Sequence, residues 1–213
     1  MRTLLIFGAS RGTGWEVAKQ ALARGDKCIA VVRTQDNSDK LNTLGIKTLI
    51  GDANDAILVE QACVIAGKDA TIISTLGGVG ANYQAQINII NQAEKVGINR
   101  LILVTSLGCG DSWLTLSERA KKAFGFAVRE KTLAEVWLKT SSMQYIILRP
   151  GGLVDSESTH NAKFYQKQEV HGYVARSDLA KIIIEFSNQT ELTCDEYSII
   201  DPDLVVERSS KQG

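Results

Sequence analysis

The chain has 213 residues, with 24 Lys+Arg against 24 Asp+Glu, so its formal net charge is zero. Hydrophobic residues make up 44% of the chain and charged residues 23%, a balance typical of one globular domain with its own core and untypical of a disordered protein. The lack of a basic excess argues against a nucleic-acid-binding protein, and no apolar run approaches the roughly 18 residues of a membrane span.

Seven short apolar runs alternate with amphipathic stretches. The runs are rich in Ile, Val and Leu, as buried parallel strands are, and cover residues 3–7, 28–32, 47–50, 70–74, 101–104, 145–148 and 197–200. Apolar residues recur at helical spacing over residues 12–24, 55–66, 83–96, 117–139 (interrupted by Gly125) and 177–187, where Ser177 has the position of an N-cap. The alternation predicts an α/β fold, a Rossmann-type doubly wound parallel sheet of about seven strands with helices on both faces.

A glycine-rich segment after the first run is the strongest motif. It opens the first predicted helix and comprises Gly8-Ala9-Ser10-Arg11-Gly12-Thr13-Gly14. Such a turn lets the backbone approach a pyrophosphate at the helix N-terminus. We expect Gly8 to make the tight turn, Gly12 to leave room for the phosphates and Gly14 to let the helix pack close to the sheet. The alternative is a tight turn without a ligand.

The residues near this segment bear on which dinucleotide would bind. NAD-preferring Rossmann proteins place an acid at the end of the second strand, whereas this chain has Arg33 there. A guanidinium suits a 2′-phosphate, and Arg11 in the glycine-rich segment is placed to face the same group. The pattern favours NADP(H) over NAD(H). The alternative for both side chains is a solvated surface charge.

Two further strand ends carry residues suited to a dinucleotide. Asp52, followed by Ala53, ends the third strand, where its carboxylate can accept a hydrogen bond from the adenine amino group; the alternative is an acid that only caps a turn. The residues after the fourth strand would let the backbone run beside the ribose and phosphates, and these are Thr75, Leu76, Gly77 and Gly78.

The end of the fifth strand holds the candidates for chemistry. Thr105 and Ser106 lie at the sheet edge where α/β proteins build their sites. The Gly-xxx-Gly-x-Gly spacing resembles the short-chain dehydrogenase/reductase superfamily, which adds to such a Ser a Tyr-xxx-Lys pair. No tyrosine here precedes a lysine by four residues, and Lys131 is preceded at that spacing by Ala127. We expect Ser106 and Lys131 to be catalytic without a tyrosine acid. The alternatives are a Ser106 that bonds only the strand end or the ribose, and a solvated Lys131.

The sixth strand adds the segment Arg149-Pro150-Gly151-Gly152-Leu153. With the glycine-rich segment, Thr105-Ser106 and Lys131-xxx-Glu135, it resembles the atypical short-chain dehydrogenase/reductases of the NmrA-like and flavin reductase (biliverdin-IXβ reductase)-like branch. The later Arg176-Ser177-Asp178-Leu179-Ala180 is similar to that branch's final helix start. The resemblance implies that Pro150, Gly151, Gly152 and Leu153 also bind the cofactor.

The same resemblance implies an activity. It suggests a monomer that transfers hydride from NADPH to a planar acceptor, namely a flavin (FMN or FAD) bound as substrate rather than as a prosthetic group, or biliverdin or a quinone. The Pro-Pro-His of the biliverdin-IXβ reductases is replaced by Pro150-Gly151-Gly152, which favours a flavin over a bilin. The alternative is a non-catalytic NmrA-like redox sensor or assembly factor that binds NADP(H).

The rest of the chain yields expectations about surroundings. The four scattered cysteines predict no metal site and no disulfide, and the short N-terminal apolar run is too short for a signal peptide, so we expect one cytoplasmic domain over residues 1–213 with no membrane insertion and no nucleic-acid partner. We expect a small substrate region from about 107–127 and 151–175. His160 and His171 have no recognisable carboxylate partner in the sequence and are expected at the surface. Trp113 and Tyr165 are candidates for either the substrate site or the core. The basic run from Arg119 to Lys122 has no assigned role.

Overall fold

A computed structural model describes residues 1–77 and 82–205 of the chain. Its strands, in chain order, are β1 (Thr3–Phe7), β2 (Lys27–Val32), β3 (Lys47–Ile50), β4 (Thr71–Ser74), β5 (Arg100–Val104), β6 (Gln144–Pro150), β7 (Gly152–Val154), β8 (Lys163–Tyr165), β9 (Tyr173–Ala175) and β10 (Asp195–Ile200). Its α-helices are α1 (Gly12–Ala23), α2 (Gln35–Asn42), α3 (Ala56–Ala66), α4 (Asn82–Val96), α5 (Glu118–Lys139) and α6 (Arg176–Ser187). A 3₁₀ helix covers Gly110–Thr115.

The main sheet has the strand order β3-β2-β1-β4-β5-β6-β10-β8. Its strands run parallel except for β8, which pairs antiparallel with β10. The order reverses at β1, whose neighbours are β2 on one side and β4 on the other. A crevice forms outside the carboxyl ends of the strands at such a switch point, and the glycine-rich segment follows β1 there. The predicted doubly wound α/β fold is confirmed.

Helices cover both faces of this sheet, and the alternation of β1 shows why. Leu4 and Ile6 lie in one apolar cluster with residues of α1 and α6, whereas Leu5 and Phe7 lie in the opposite cluster with residues of α3 and α4. Each of these side chains is at most 1% exposed, and burying one contributes about 1.5–3 kcal/mol. A strand that is apolar on both sides needs such cover on both faces.

Helix α2 and three short strands were missed by the sequence patterns. The sequence of α2 is polar, and only Ser38 and Leu41 of it are buried, so no apolar periodicity marks it. Strands β7, β8 and β9 have three residues each, too few to show alternation. β7 pairs with β9 in a separate two-stranded parallel sheet, which lies in the segment expected to form the substrate region.

Two predicted details of the helices were wrong. α6 begins at Arg176 with Ala175 as its N-cap residue, so Ser177 lies inside the first turn rather than at the cap. β9 leads directly into that helix and leaves no separate capping residue. Gly125 does not interrupt α5, which is continuous; a Cβ at that position would stand 3.1 Å from the Trp113 ring, so the glycine makes room for the 3₁₀ helix.

None of the helices in the described ranges is long and apolar enough to cross a bilayer. The four cysteines are unpaired, with Cys194 exposed and the other three buried. Burial raises the pKa of the Cys28 thiol to about 12, which keeps it protonated and unreactive at neutral pH.

Candidate functional site

A cleft of about 940 Å³ opens at the carboxyl ends of β1, β2, β4 and β5. It contains most of the residues that the sequence assigned to cofactor binding or chemistry. Those that line it are Gly8, Ser10, Arg11, Gly12, Thr13, Gly14, Arg33, Asp52, Ala53, Thr75, Leu76, Gly77, Thr105, Lys131 and Leu153. The size and the concave shape are those of a small-molecule or cofactor site.

Four further predicted residues do not line this cleft. Ser106 is half-buried directly after Thr105, and Pro150 is buried at the end of β6. A Cβ on Gly151 would collide with the Gly172 carbonyl, and one on Gly152 would stand 2.5 Å from the Tyr173 ring. The close approach of the segment that leads into β9 therefore accounts for these two glycines. Gly78 lies outside the described residues.

The glycine-rich segment is shaped by contacts with β4. Gly8 has φ +95°, and a Cβ there would lie 2.6 Å from Thr75 Oγ1; a Cβ on Gly14 would collide with the Gly8 carbonyl. Thr75 Oγ1 donates to the Phe7 carbonyl at 3.2 Å and closes this turn. Larger residues would therefore push the segment away from the sheet and close the cradle at the start of α1.

The start of α1 offers unused hydrogen-bond donors. Its N-cap residue Arg11 makes no side-chain cap bond, and no acid lies in the first turn. The Thr13 hydroxyl is buried and has no hydrogen-bond partner among the described residues. Free backbone N–H groups, the helix dipole and an unpartnered hydroxyl together fit a pyrophosphate.

The part of the cleft at the end of β2 is cationic and polar. Arg11 and Arg33 are both exposed on its wall, together with Asn37, which the sequence did not single out. Asn37 lies in the first turn of α2, where its backbone N–H donates to the Thr34 hydroxyl at 3.3 Å. Thr34 followed by a polar stretch is the sequence signal that would have found this helix start.

Asp52 has a structural task at the end of β3. Its Oδ1 accepts the Asn54 backbone N–H at 2.8 Å and the Asn54 side-chain amide at 2.7 Å. Asn88 from α4 holds the same turn by donating to the Ala53 and Asn54 carbonyls at 3.1 and 2.9 Å. Asp52 thus acts as a turn acid while it also lines the cleft, and its contact with adenine stays a prediction.

Lys131 reaches the cleft at the end of β5. Its Nζ donates to the Thr105 carbonyl at 3.0 Å, which brings two predicted site residues together. Burial lowers the pKa of the Lys131 ammonium, and the negative charge of Glu135, one turn along α5, partly offsets this effect. A lysine with a lowered pKa beside a cofactor cleft can donate a proton more readily than a solvated one.

A buried ion pair supports this end of the cleft. Arg149 donates from Nε and one terminal nitrogen to the two oxygens of Glu135, at 3.1 and 2.7 Å, and Thr105 Oγ1 donates to the same carboxylate at 2.6 Å. Burial by itself would lower the pKa of Arg149, but the bonds to Glu135 and Asp111 outweigh it and raise the pKa. Asp111 ties Arg149 to the 3₁₀ helix at 2.6 Å, so the network also fixes the start of the expected substrate region.

Arg176 and Asp155 complete the cleft wall and were not predicted as site residues. Arg176 is the first residue of α6, and its side chain lies beside Gly12. Its guanidinium pairs with Asp155 at 2.9 Å. The start of α6 and the glycine-rich segment are far apart in the sequence and meet only in the folded chain, so no local sequence pattern predicts this contact.

Asp178 anchors the segment that follows Asp155. It is 2% exposed and accepts bonds from the Ser158 hydroxyl, from the Thr159 N–H at 2.9 Å and from the His160 N–H at 3.2 Å. Burial alone would raise the pKa of Asp178, but these hydrogen bonds outweigh it and lower the pKa. The segment is therefore held to α6 at residues 158–160.

The two histidines and the aromatic candidates lie away from the cleft. His160 and His171 are exposed, as predicted, but each has a carboxylate neighbour, which contradicts the expectation: Asp178 at 4.0 Å and Glu169 at 2.9 Å. Trp113 is half-buried against α5, with Lys121 and Arg129 over its ring. Part of the basic surface of α5 therefore packs on this ring. Tyr165 lies in β8, opposite Ser198.

Comparison with known proteins places this geometry in context. A model of the NAD(P)H-binding family matches residues 8–190. The structure of ChuY, an anaerobilin reductase from Escherichia coli O157:H7, is 52% identical, with 96% of this chain and 100% of that chain covered at a TM-score of 0.94. ChuY from E. coli strain CFT073 is 50% identical, with 97% and 100% covered at a TM-score of 0.90. Sanguinarine reductase of Eschscholzia californica is 27% identical, with 86% of this chain and 83% of that protein covered.

Proposed function

The chain belongs to the NAD(P)H-binding family, and from that premise we propose that it transfers hydride from NADPH to a planar conjugated acceptor, first of all a bilin of the anaerobilin type. It is an NAD(P)H-dependent reductase. The observation that carries the choice of acceptor is the 52% identity, over the full length of that chain, to a structure named for anaerobilin reduction. This choice reverses the preference for flavin that the missing histidine suggested, and FMN becomes the competing acceptor.

The proposed preference for NADPH rests on the part of the cleft at the end of β2, where the adenosine would lie. Arg11 and Arg33 would bind a 2′-phosphate by charge-assisted hydrogen bonds, and Asn37 at the start of α2 adds an amide donor. No acid lies at the end of β2 to bind free ribose hydroxyls. A 2′-phosphate would gain these contacts, whereas NADH would leave the two guanidinium groups without a partner.

The glycine-rich segment would hold the pyrophosphate, with Thr13 as a hydroxyl donor. Ser10 lies in the same segment, and Thr75, Leu76 and Gly77 border the cleft at the end of β4. The nicotinamide, when bound, supplies the hydride. The chain then has to place the acceptor, exclude wrong orientations and deliver a proton.

Lys131 is our candidate for the proton. Its ammonium lines the cleft, while its bond to the Thr105 carbonyl fixes where it points. Thr105 cannot take this role, since its hydroxyl already donates to Glu135. Ser106 is the second candidate; it lies next to Thr105 but outside the cleft wall, so it would act on an acceptor that extends beyond the cofactor.

The test is NADPH oxidation under anaerobic conditions with anaerobilin, biliverdin, FMN, FAD and a soluble quinone as separate acceptors. We expect the highest kcat/KM with anaerobilin. A higher kcat/KM with FMN would show that the preferred acceptor is a flavin and not a bilin. Binding of NADPH without turnover of any acceptor would favour the NmrA-like sensor and would overturn the reductase proposal.

A further inference from the structure

Arg176 connects the glycine-rich segment with the expected substrate region. A Cβ on Gly12 would lie 3.2 Å from Arg176 Nε and 3.3 Å from its Cδ, so the side chain covers the point where α1 begins. Its terminal nitrogen pairs with Asp155 Oδ1 at 2.9 Å. Asp155 follows directly after β7 and lines the same cleft. One guanidinium therefore touches both sides of the site.

The two partners of this ion pair differ in burial. The Arg176 side chain is 26% exposed, whereas the Asp155 side chain is 84% exposed. An ion pair with so exposed a carboxylate stabilises the protein little, because water solvates the carboxylate almost as well. A phosphate at the start of α1 would offer the guanidinium a stronger partner, since it carries more charge than a carboxylate and the helix dipole and free backbone N–H groups hold it there.

We propose that Arg176 binds the pyrophosphate of the cofactor and that Asp155 holds its guanidinium in place until the cofactor arrives. Cofactor binding then exchanges one acceptor for another and releases Asp155. This inference rests on the cofactor placement of the proposed function and is independent of the acceptor.

The released stretch is short, because the chain is anchored just beyond it. Asp178 holds residues 158–160 through bonds to Ser158, Thr159 and His160. Release of Asp155 thus frees residues 155–157, which follow Leu153 at the edge of the cleft. The exchange would couple occupation of the pyrophosphate site to the shape of the acceptor side, and it predicts that the cofactor binds before the acceptor.

Binding measurements with three ligands separate Arg176 from Arg33. Isothermal titration calorimetry with NADPH, NADH and adenosine 2′-monophosphate gives each Kd for the wild-type protein, Arg176→Gln and the matched control Arg33→Gln. We expect Arg176→Gln to weaken NADPH and NADH alike by roughly 10- to 100-fold and to leave adenosine 2′-monophosphate unchanged. Arg33→Gln should weaken NADPH and adenosine 2′-monophosphate and leave NADH unchanged.

Asp155→Asn tests the exchange itself. Removal of the competing carboxylate should tighten NADPH binding by about 2- to 5-fold. Hydrogen exchange of residues 155–157 should rise on addition of NADPH to the wild-type protein and stay constant in Arg176→Gln. Equal or weaker NADPH binding by Asp155→Asn would overturn the exchange, because it would show that Asp155 only positions Arg176.

The outcomes that would overturn this inference differ from those that would overturn the proposed function. The role of Arg176 would be overturned if Arg176→Gln bound NADH as tightly as the wild-type protein and had the same melting temperature. Arg176→Lys keeps the charge and checks that a loss in the glutamine variant does not come from misfolding; it should retain most of the affinity. A wild-type protein that binds neither NADPH nor NADH would refute the proposed function rather than this inference.

Discussion

The cleft has two sides that differ in how they are built. On the cofactor side, the glycine-rich segment and the end of β4 touch through backbone atoms and small side chains, as with Gly14 against the Gly8 carbonyl. On the acceptor side, charged side chains distant in sequence make the contacts: Arg149 with Glu135 and Asp111, and Arg176 with Asp155. Backbone contacts and the buried pair of Arg149 with Glu135 tolerate almost no change in shape, whereas the pair of Arg176 with exposed Asp155 can be exchanged. The first side therefore suits a constant cofactor, and the second combines a fixed base with a segment that can move.

The largest effect should come from breaking the buried pair on the acceptor side. Arg149→Met leaves the Glu135 carboxylate, 1% exposed, without its main partner, and should cost about 3–5 kcal/mol of unfolding free energy. Urea denaturation measures it. The matched control is Lys95→Met, which removes a pair with half-buried Glu60 and should cost about 0–1 kcal/mol. Equal losses in the two variants would mean that burial does not distinguish these pairs.

The next effect concerns turnover rather than folding. Lys131→Met removes the ammonium that faces the cleft and should lower kcat by about 100-fold, the lower range for a lost proton donor. NADPH affinity should change far less. Steady-state kinetics with the preferred acceptor provides the measurement. Lys139→Met, at the last residue of the same helix and away from the residues that line the cleft, is the control. A kcat that stays within twofold of the wild-type value would exclude Lys131 as the donor.

The third effect is on the cofactor side, where the addition of a single methyl group should lower both stability and NADPH affinity. Gly14→Ala places a methyl group against the Gly8 carbonyl and should cost about 1–3 kcal/mol of stability, together with most of the NADPH affinity. Gly77→Ala is the control in the same cleft, since no atom of residues 1–77 or 82–205 lies within 4 Å of its added Cβ. Thermal unfolding and NADPH titration of both variants test the difference. An affinity loss in Gly77→Ala as large as in Gly14→Ala would refute the packing explanation.

The smallest effect is a pH dependence on the acceptor side. The pKa of Asp178 is lowered from 3.8, so its stabilising bonds are fully present above about pH 4 and are lost as pH falls through the folded-state value. Asp178→Asn should cost about 1–2 kcal/mol at pH 7, and its difference from the wild-type protein should shrink below pH 4. Denaturant unfolding across this range measures it. The control is Asp155→Asn, an exposed position in the same segment, which should change the free energy of unfolding by less than about 0.5 kcal/mol. If Asp178→Asn lost the same unfolding free energy at every pH, the expected titration of Asp178 would be contradicted.

The sequence alone predicted most of the sheet and the cofactor side. The apolar runs coincide with β1 and β3 and overlap the other long parallel strands. For the central strands the reason is that a buried strand requires apolar residues on both faces. The glycine-rich segment was recognisable for a similar reason. Gly14 meets the Gly8 carbonyl within one strand-to-helix turn, so part of the constraint that selects these glycines lies in nearby residues, while Thr75 adds the rest from the end of β4.

The acceptor side depended on tertiary contacts. Strands β7, β8 and β9 have three residues each and take their conformation from their neighbours, not from a periodic pattern. The sequence suggested that Gly151 and Gly152 border the cofactor, but the folded chain sets them against Gly172 and Tyr173.

Charge shows the same division most clearly. The sequence singled out Arg11 and Arg33, which stand beside a local motif, and the structure places both on the cleft wall. It named Arg176, Arg149 and Glu135 only as parts of family motifs and assigned them no ionic partner, because nothing near these residues in the chain states which partner they will meet. Local backbone geometry is encoded by neighbouring residues, whereas an ion pair forms only when the sheet brings distant helices and loops together.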